Sequence, residues 1–238
     1  MSPTRAVLID ALGTLVELEP PWVHLRAEVG DGVPDEQLEA AVRAEMRYYR
    51  DHSHEGSDSA SLAELRERCA AVLSRELGRR VDAETLMDAI RFRAYPDAAP
   101  ALAGLRRRGM SVVCVSNWDC SLGEVLDRCG LGPELDGVVS SAVAGARKPD
   151  PAIFARALQL AGCEPEEALH VGDTPGEDIE GARAARIRAL LLDRPSSLAA
   201  AYSASRPPRP GRRDRDRRWP PEGSRIASLD QIEQYLEP

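Results

Sequence analysis

The chain has 238 residues, of which 43% are hydrophobic, 29% charged and only 4% aromatic, and its formal net charge is −8. That length can bury one sizeable core, or a core plus a small second domain, filled by aliphatic side chains and alanine. The negative charge argues against wholesale nucleic-acid binding, and no apolar run approaches the ~18 residues that span a bilayer.

The first apolar run, Ala6–Asp10 (AVLID), carries an acid at its end. It reads as a core strand rather than a secretion signal. Residues 17–93 then show helical periodicity. Pro34–Arg50, Leu62–Leu77 and Ala83–Phe92 read as amphipathic helices, with Ser61 and Glu64 as a capping box for the second and Asp51–Ser59 as a loop. His24, Arg26, His52 and His54 fall in this region and read as solvated or packing residues.

From Ala98 the pattern alternates. A helix at Ala98–Arg108 is stopped by Gly109, and strands follow at Ser111–Asn117 and, more weakly, Gly137–Ser141. A helix at Asp150–Ala161, a strand at Ala168–Asp173, a helix at Gly176–Ala185 and a strand at Ile187–Asp193 complete the series. His170 lies inside a strand and should pack. Arg186 stands at a helix-to-strand turn that favours glycine, at a modest local cost. Arg206–Pro221, whose Arg206–Arg218 portion holds seven Arg and two Asp, should lack regular structure, and Ser224–Leu236 should return as a short closing strand and helix. The fold class expected is α/β, a doubly wound parallel sheet with an inserted helical cap domain. The core would comprise 1–16 and 94–238, and the cap 17–93.

Five cysteines, an odd number with no C-x-x-C spacing, point to no disulfide framework or zinc site and to a reducing cytoplasm. In a parallel sheet, ligands bind beyond the carboxyl ends of the strands. Asp10, Ser116 and Asp173 each end a predicted strand and should therefore meet on one rim. Of 31 basic residues a single one is lysine, Lys148. A compact ammonium and a planar guanidinium are not interchangeable, so chemistry could demand that exception. Taken singly, each feature has an ordinary reading: a turn aspartate, a surface lysine, acids at a helix start. Trp118 and Asp119, just after Ser116-Asn117, could shape a pocket mouth.

Four segments occur in order: Asp10-Ala11-Leu12-Gly13-Thr14, Ser116-Asn117, Lys148-Pro149-Asp150, and Gly172-Asp173 with Asp178. Together they resemble the four motifs of the haloacid dehalogenase superfamily of hydrolases, in the branch with a small helical cap. The resemblance reaches to about Asp193. It implies Asp10 as a covalent nucleophile toward a small phosphorylated substrate. It implies Mg²⁺ held by the Asp10 carboxylate, the Leu12 carbonyl and Asp173, with Asp178 on the metal or its waters. Lys148 would neutralise Asp10 and a phosphoryl oxygen, and Ser116 and the backbone near Asn117 would bind the phosphoryl group. No nucleic-acid or membrane partner is expected.

One position departs from the phosphatase pattern. Such phosphatases carry a second aspartate two residues after the nucleophile as general acid and base, and here that residue is Leu12. The enzyme should then be slow, or restricted to good leaving groups. The 2-haloacid dehalogenases also lack that aspartate, but they use no metal and do not keep the Asp173/Asp178 pair. Phosphonoacetaldehyde hydrolase forms a Schiff base on a cap lysine, and 17–93 contains none. A catalytically weak binding or regulatory protein on the same fold is the remaining alternative.

Overall fold

The computed structural model describes residues 3–194 and 224–236. The Arg-rich stretch 206–218 lies outside them. In chain order the elements are β1 (Ala6–Ile9), β2 (Val16–Leu18), α1 (Pro21–Val29), α2 (Asp35–His52), α3 (Ser59–Leu77), α4 (Ala83–Ala89), β3 (Phe92–Ala94) and α5 (Ala98–Arg107). They continue with β4 (Ser111–Ser116), α6 (Leu122–Arg128), β5 (Gly137–Ser140), α7 (Ser141–Ala144), α8 (Pro151–Ala161), β6 (Ala168–Gly172), α9 (Glu180–Ala184), β7 (Arg188–Leu192) and β8 (Arg225–Ile226). A 3₁₀ segment, Leu229–Tyr235, follows.

Six strands form a parallel sheet in the order β5-β4-β1-β6-β7-β8. Successive side chains of a strand point to opposite faces. Val7 and Ile9 of β1 and Val112 and Cys114 of β4 therefore pack with Leu102 and Leu105 of α5, Leu126 of α6 and Ile232. Leu8, Val113 and Val115 face the other way, onto Ile153, Phe154 and Ala157 of α8 and Ala182 of α9. Helices on both faces make this the expected doubly wound α/β sheet. Among the described residues no helix is long and apolar enough to cross a membrane.

Helices α1–α4 have their own apolar cluster, including Leu38, Leu65, Leu73 and Leu86. The chain enters and leaves this block through β2 and β3, which pair antiparallel with Leu18 opposite Phe92. This hairpin corrects the expected helix over Ala83–Phe92. Ile90 is already extended (φ −84°, ψ 98°), and ladder pairing claims Phe92. Helix α3 starts earlier than expected. Asp58 is its cap, accepting hydrogen bonds from the Ala60 and Ser61 amides, while the Ser61 hydroxyl accepts from the Asp58 amide. Ser61 thus belongs to the box as its third helical residue, not as its cap. The expected helix over Gly176–Ala185 also resolves differently. Pro175–Ile179 is a π turn, and only Glu180–Ala184 is α-helical. Such wide turns recur at functional sites.

Arg186 has φ 62°, the one described non-glycine residue in the left-handed region. Its ion pair with Glu166 is exposed, with the two side chains 76% and 55% accessible, and contributes little. Arg186→Gly should therefore stabilise the protein by about 0.5–1 kcal/mol, the Cβ penalty outweighing glycine's extra chain entropy. Thermal melting should show a rise of roughly 1–4 °C, and a lower midpoint would mean that the Arg186 side chain contributes more than its conformation costs.

Candidate active site

The site assembles where four parallel-sheet connections meet. Asp10 follows β1, and its amide donates to the Val171 carbonyl at 2.9 Å, which anchors the residue beside β6. The chain then turns sharply. Gly13 takes φ 86°, accessible at low cost only to glycine, and its amide donates to Val16. Ser116 closes β4 and donates its hydroxyl to Asp10 Oδ1 at 3.0 Å.

Lys148 lies just before α8 and is 2% exposed. Its Nζ donates to Asp10 Oδ1 and to Asp178 Oδ1, both at 2.5 Å. Asp10 Oδ1 is therefore pinned by two donors, whereas Oδ2 accepts no hydrogen bond from the described residues. Asp178 is held on every side. Its Oδ1 also accepts from His170 Nε2 at 2.9 Å, and its Oδ2 accepts from the Thr174 amide at 2.9 Å. Gly172 makes room for it, since a Cβ there would stand 2.2 Å from the Asp178 carboxyl carbon. Asp173 accepts from the Thr174 hydroxyl at 3.0 Å.

The electrostatics follow from burial and neighbours. Burial alone would strip Lys148 of its proton, yet Asp10 and Asp178 hold it protonated, above its ordinary range. Burial likewise opposes ionisation of Asp178, but the Lys148 ammonium and the His170 bond keep it well below the usual carboxyl range. Burial raises Asp10, partly offset by Lys148 and Ser116. Asp173 is pushed up to about 8 by burial and by the charges of Asp10 and Asp178. One oxygen from each of Asp10, Asp173 and Asp178 lies within 4.8 Å of the others. One ammonium faces three carboxylates, so the cluster is short of positive charge. That donor set, hard oxygens with an anionic excess, fits a divalent cation such as Mg²⁺.

The expected residues Asp10, Ser116, Lys148, Asp173 and Asp178 are thus brought together. Asn117 adjoins Ser116, where its backbone is the part expected to meet the phosphoryl group. Its side chain is occupied: Nδ2 donates to the Lys148 carbonyl (3.1 Å) and Glu177 Oε2 (2.9 Å), and Oδ1 accepts from the Lys148 amide (2.8 Å). It positions the lysine's backbone. Leu12 is half-buried against the core and lines the cavity. That cavity, about 760 Å³, runs from Asp10 to helices α2 and α3 and is also lined by Trp118 and Asp119. His24, His52 and His54 do not line it; His24 meets Glu19 and His52 stacks on Tyr48. Sequence reading missed Glu45, Tyr49 and Cys69, which line the cavity from α2 and α3. Glu45 at a helix position flanked by apolar residues was the available signal.

A family model for haloacid dehalogenase-like hydrolases matches residues 4–186. Haloacid dehalogenase-like hydrolase domain-containing protein 3 of Bos taurus is 41% identical over 110 residues, 46% of this chain and 44% of its own length. Phosphoserine phosphatase of Thermus thermophilus is 42% identical over 105 residues, 44% of this chain and 42% of its own. The chain thus matches less than half the length of these curated relatives. In fold, the structure of L-2-haloacid dehalogenase from Xanthobacter autotrophicus aligns with TM-score 0.70 at 21% identity, covering 98% of each chain.

The Lys148 network yields a stability prediction. Lys148→Met leaves buried carboxylates without a counter-charge and should destabilise the metal-free protein by about 3–5 kcal/mol at pH 8. A carboxyl whose folded pKa exceeds its unfolded value adds stability while protonated and loses it as pH rises through the folded pKa. Asp173, at about 8, already behaves so, and loss of Lys148 would raise Asp178 as well. The deficit measured by urea unfolding in chelator should therefore shrink at pH 5, whereas a deficit independent of pH would assign it to lost packing.

Proposed function

We propose that this chain, which belongs to the haloacid dehalogenase-like hydrolases, is a Mg²⁺-dependent phosphatase that acts on a small phosphorylated metabolite through an aspartyl-phosphate on Asp10. The observation that carries this reading is the convergence of Asp10, Asp173 and Asp178 around Lys148. Metal-free dehalogenation gives no reason to crowd three carboxylates together, whereas phosphoryl transfer does. Phosphatases among the curated relatives support the same reading. In it, residues 17–93 serve as a cap over the nucleophile.

Asp10, the Leu12 carbonyl and Asp173 would hold the cation, with Asp178 on it or on its waters, and the cation would supply charge neutralisation between a carboxylate nucleophile and an anionic phosphoryl group. The chain's own groups do the rest. Lys148 and Ser116 fix Asp10 through Oδ1, so Oδ2 is the oxygen left to attack phosphorus. A bond forms from Oδ2 to phosphorus as the bond from phosphorus to the leaving oxygen breaks, with the electron pair going to that oxygen. The Lys148 ammonium and Ser116 stabilise charge spread over the phosphoryl oxygens. Water then attacks the aspartyl-phosphate, releasing inorganic phosphate and restoring the Asp10 carboxylate. Asn117 keeps Lys148 in place throughout.

Leu12 cannot give the leaving oxygen a proton. Acyl and aryl phosphates, whose leaving groups need none, are therefore the favoured substrates, and alkyl phosphates react slowly. The five free cysteines suit a reducing cytoplasm.

Two measurements test this reading. Hydrolysis of an aryl phosphate should require Mg²⁺ and cease in excess chelator; turnover of 2-haloacids indifferent to chelator would replace it with the dehalogenase reading, which Leu12 also permits. Leu12→Asp, once shown by circular dichroism and melting to be folded, should raise alkyl phosphate turnover by up to ~10²–10⁴-fold, with a much smaller gain on aryl phosphates. Equal effects on both classes would mean that proton transfer is not what limits the site.

A further inference from the structure

The cavity wall contributed by α2 and α3 contains a carboxyl that the chemistry above does not use. Glu45 of α2 is 4% exposed and lines the same cavity as Asp10. It forms no ion pair with any described residue. Its one polar contact is the thiol of Cys69 on α3, and burial pushes its carboxyl up to about 7. Cys69 stays a thiol, its own ionisation opposed by burial and by Glu45. Beside them, Tyr49 donates its hydroxyl to Asp119 Oδ2 at 2.7 Å, and Asp119 Oδ1 accepts from the Ser121 amide at 2.7 Å. Asp119 is also buried and has no cationic partner among the described residues. This stretch of wall thus offers two buried carboxyl groups, and among the described residues no ion pair is made by either.

An acid buried without a counter-charge costs stability. Packing alone would be served as well by glutamine or leucine. The cost has a use if a cation enters the cavity and pairs with it. A metal ion is poorly served at Glu45, because among the described residues Asp10, Asp173 and Asp178 form the one group of three or more such ligands close enough to share an ion. A neutral hydroxyl would not return the ionisation that burial opposes, whereas an ammonium would. Arg50, Arg66 and Arg147 line the same cavity but none pairs with Glu45.

Resting on the phosphatase reading, we propose that Glu45 selects substrates whose leaving group carries an ammonium, which it binds from a cavity wall that Asp119 also lines. Glu45 is a specificity-determining residue and takes no part in bond making.

The test compares 2-aminoethyl phosphate with propyl phosphate, near-isosteres that differ by an ammonium for a methyl group, in the presence of Mg²⁺. The wild-type protein should favour the amine at least ~30-fold in kcat/KM, the scale of a desolvated charge pair, and Glu45→Gln should remove most of that preference. Calorimetry supplies an arm that needs no turnover: 2-aminoethanol should bind the wild-type protein more tightly than 1-propanol, and the difference should vanish in Glu45→Gln. Glutamine is nearly isosteric and uncharged, so the melting temperature should stay level or rise. Amine binding without hydrolysis of any phosphate ester would sink the phosphatase reading and leave the assignment of Glu45 standing. Hydrolysis with no amine preference, a preference that survives Glu45→Gln, or a variant that melts lower with its preference intact would overturn it. Loss of rate by the same factor on both substrates would do so too, since recognition of the amine predicts a selective loss.

Discussion

The buried ammonium of Lys148 is the contact on which the arrangement of the site depends. It stands 2.5 Å from carboxylates that arrive from opposite ends of the chain, Asp10 after the first strand and Asp178 in the turn after the sixth. Each of those acids would be costly in isolation at this depth, and the same proton-bearing nitrogen favours the ionised form of each. Around that ion set the structure is specified outward. Asn117 fixes the lysine's backbone, His170 and Thr174 fix Asp178, and Gly172 leaves the space Asp178 fills. The charge still does not balance, which is why the cluster suits an additional cation.

This arrangement explains what could be read in the sequence and what could not. The strands were legible because parallel strands buried on both faces are short apolar runs, and Asp10, Ser116 and Asp173 sit where such runs stop. Lys148 was conspicuous as the lone lysine. The hairpin of β2 and β3 was hidden because three-residue strands carry no period, and Phe92 continued a helical pattern that tertiary pairing overrode. The π turn at Pro175–Ile179 was hidden for a different reason. Its composition is that of a helix start, and its widening shows only in the chain's path.

The cavity wall was the least legible part. Glu45, Tyr49 and Cys69 lie on helices whose pattern marks a buried face but not what the face meets. Glu45 interrupts the buried face made by Leu38, Ala41 and Val42 of α2. Asp119, on the same cavity wall, belongs to a loop some seventy positions away in sequence, and it accepts the Tyr49 hydroxyl. Polar residues on such faces become interpretable only once their partners, or the lack of them, are known. The same holds for Asn117, whose side chain serves Lys148 and Glu177 rather than the open cavity.

The pairing of Leu18 with Phe92 has an evolutionary consequence. It holds the two ends of the excursion 19–91 side by side, so the sheet sees only a closed hairpin whatever lies beyond it. The entropy of closing a loop grows with the logarithm of its length, each doubling adding only about 0.6 kcal/mol. A lineage could lengthen, shorten or exchange the helices beyond that clasp with little penalty to the core. Asp10 and Lys148 would then persist as one unit of the sheet while residues on the helices beyond the clasp diverged.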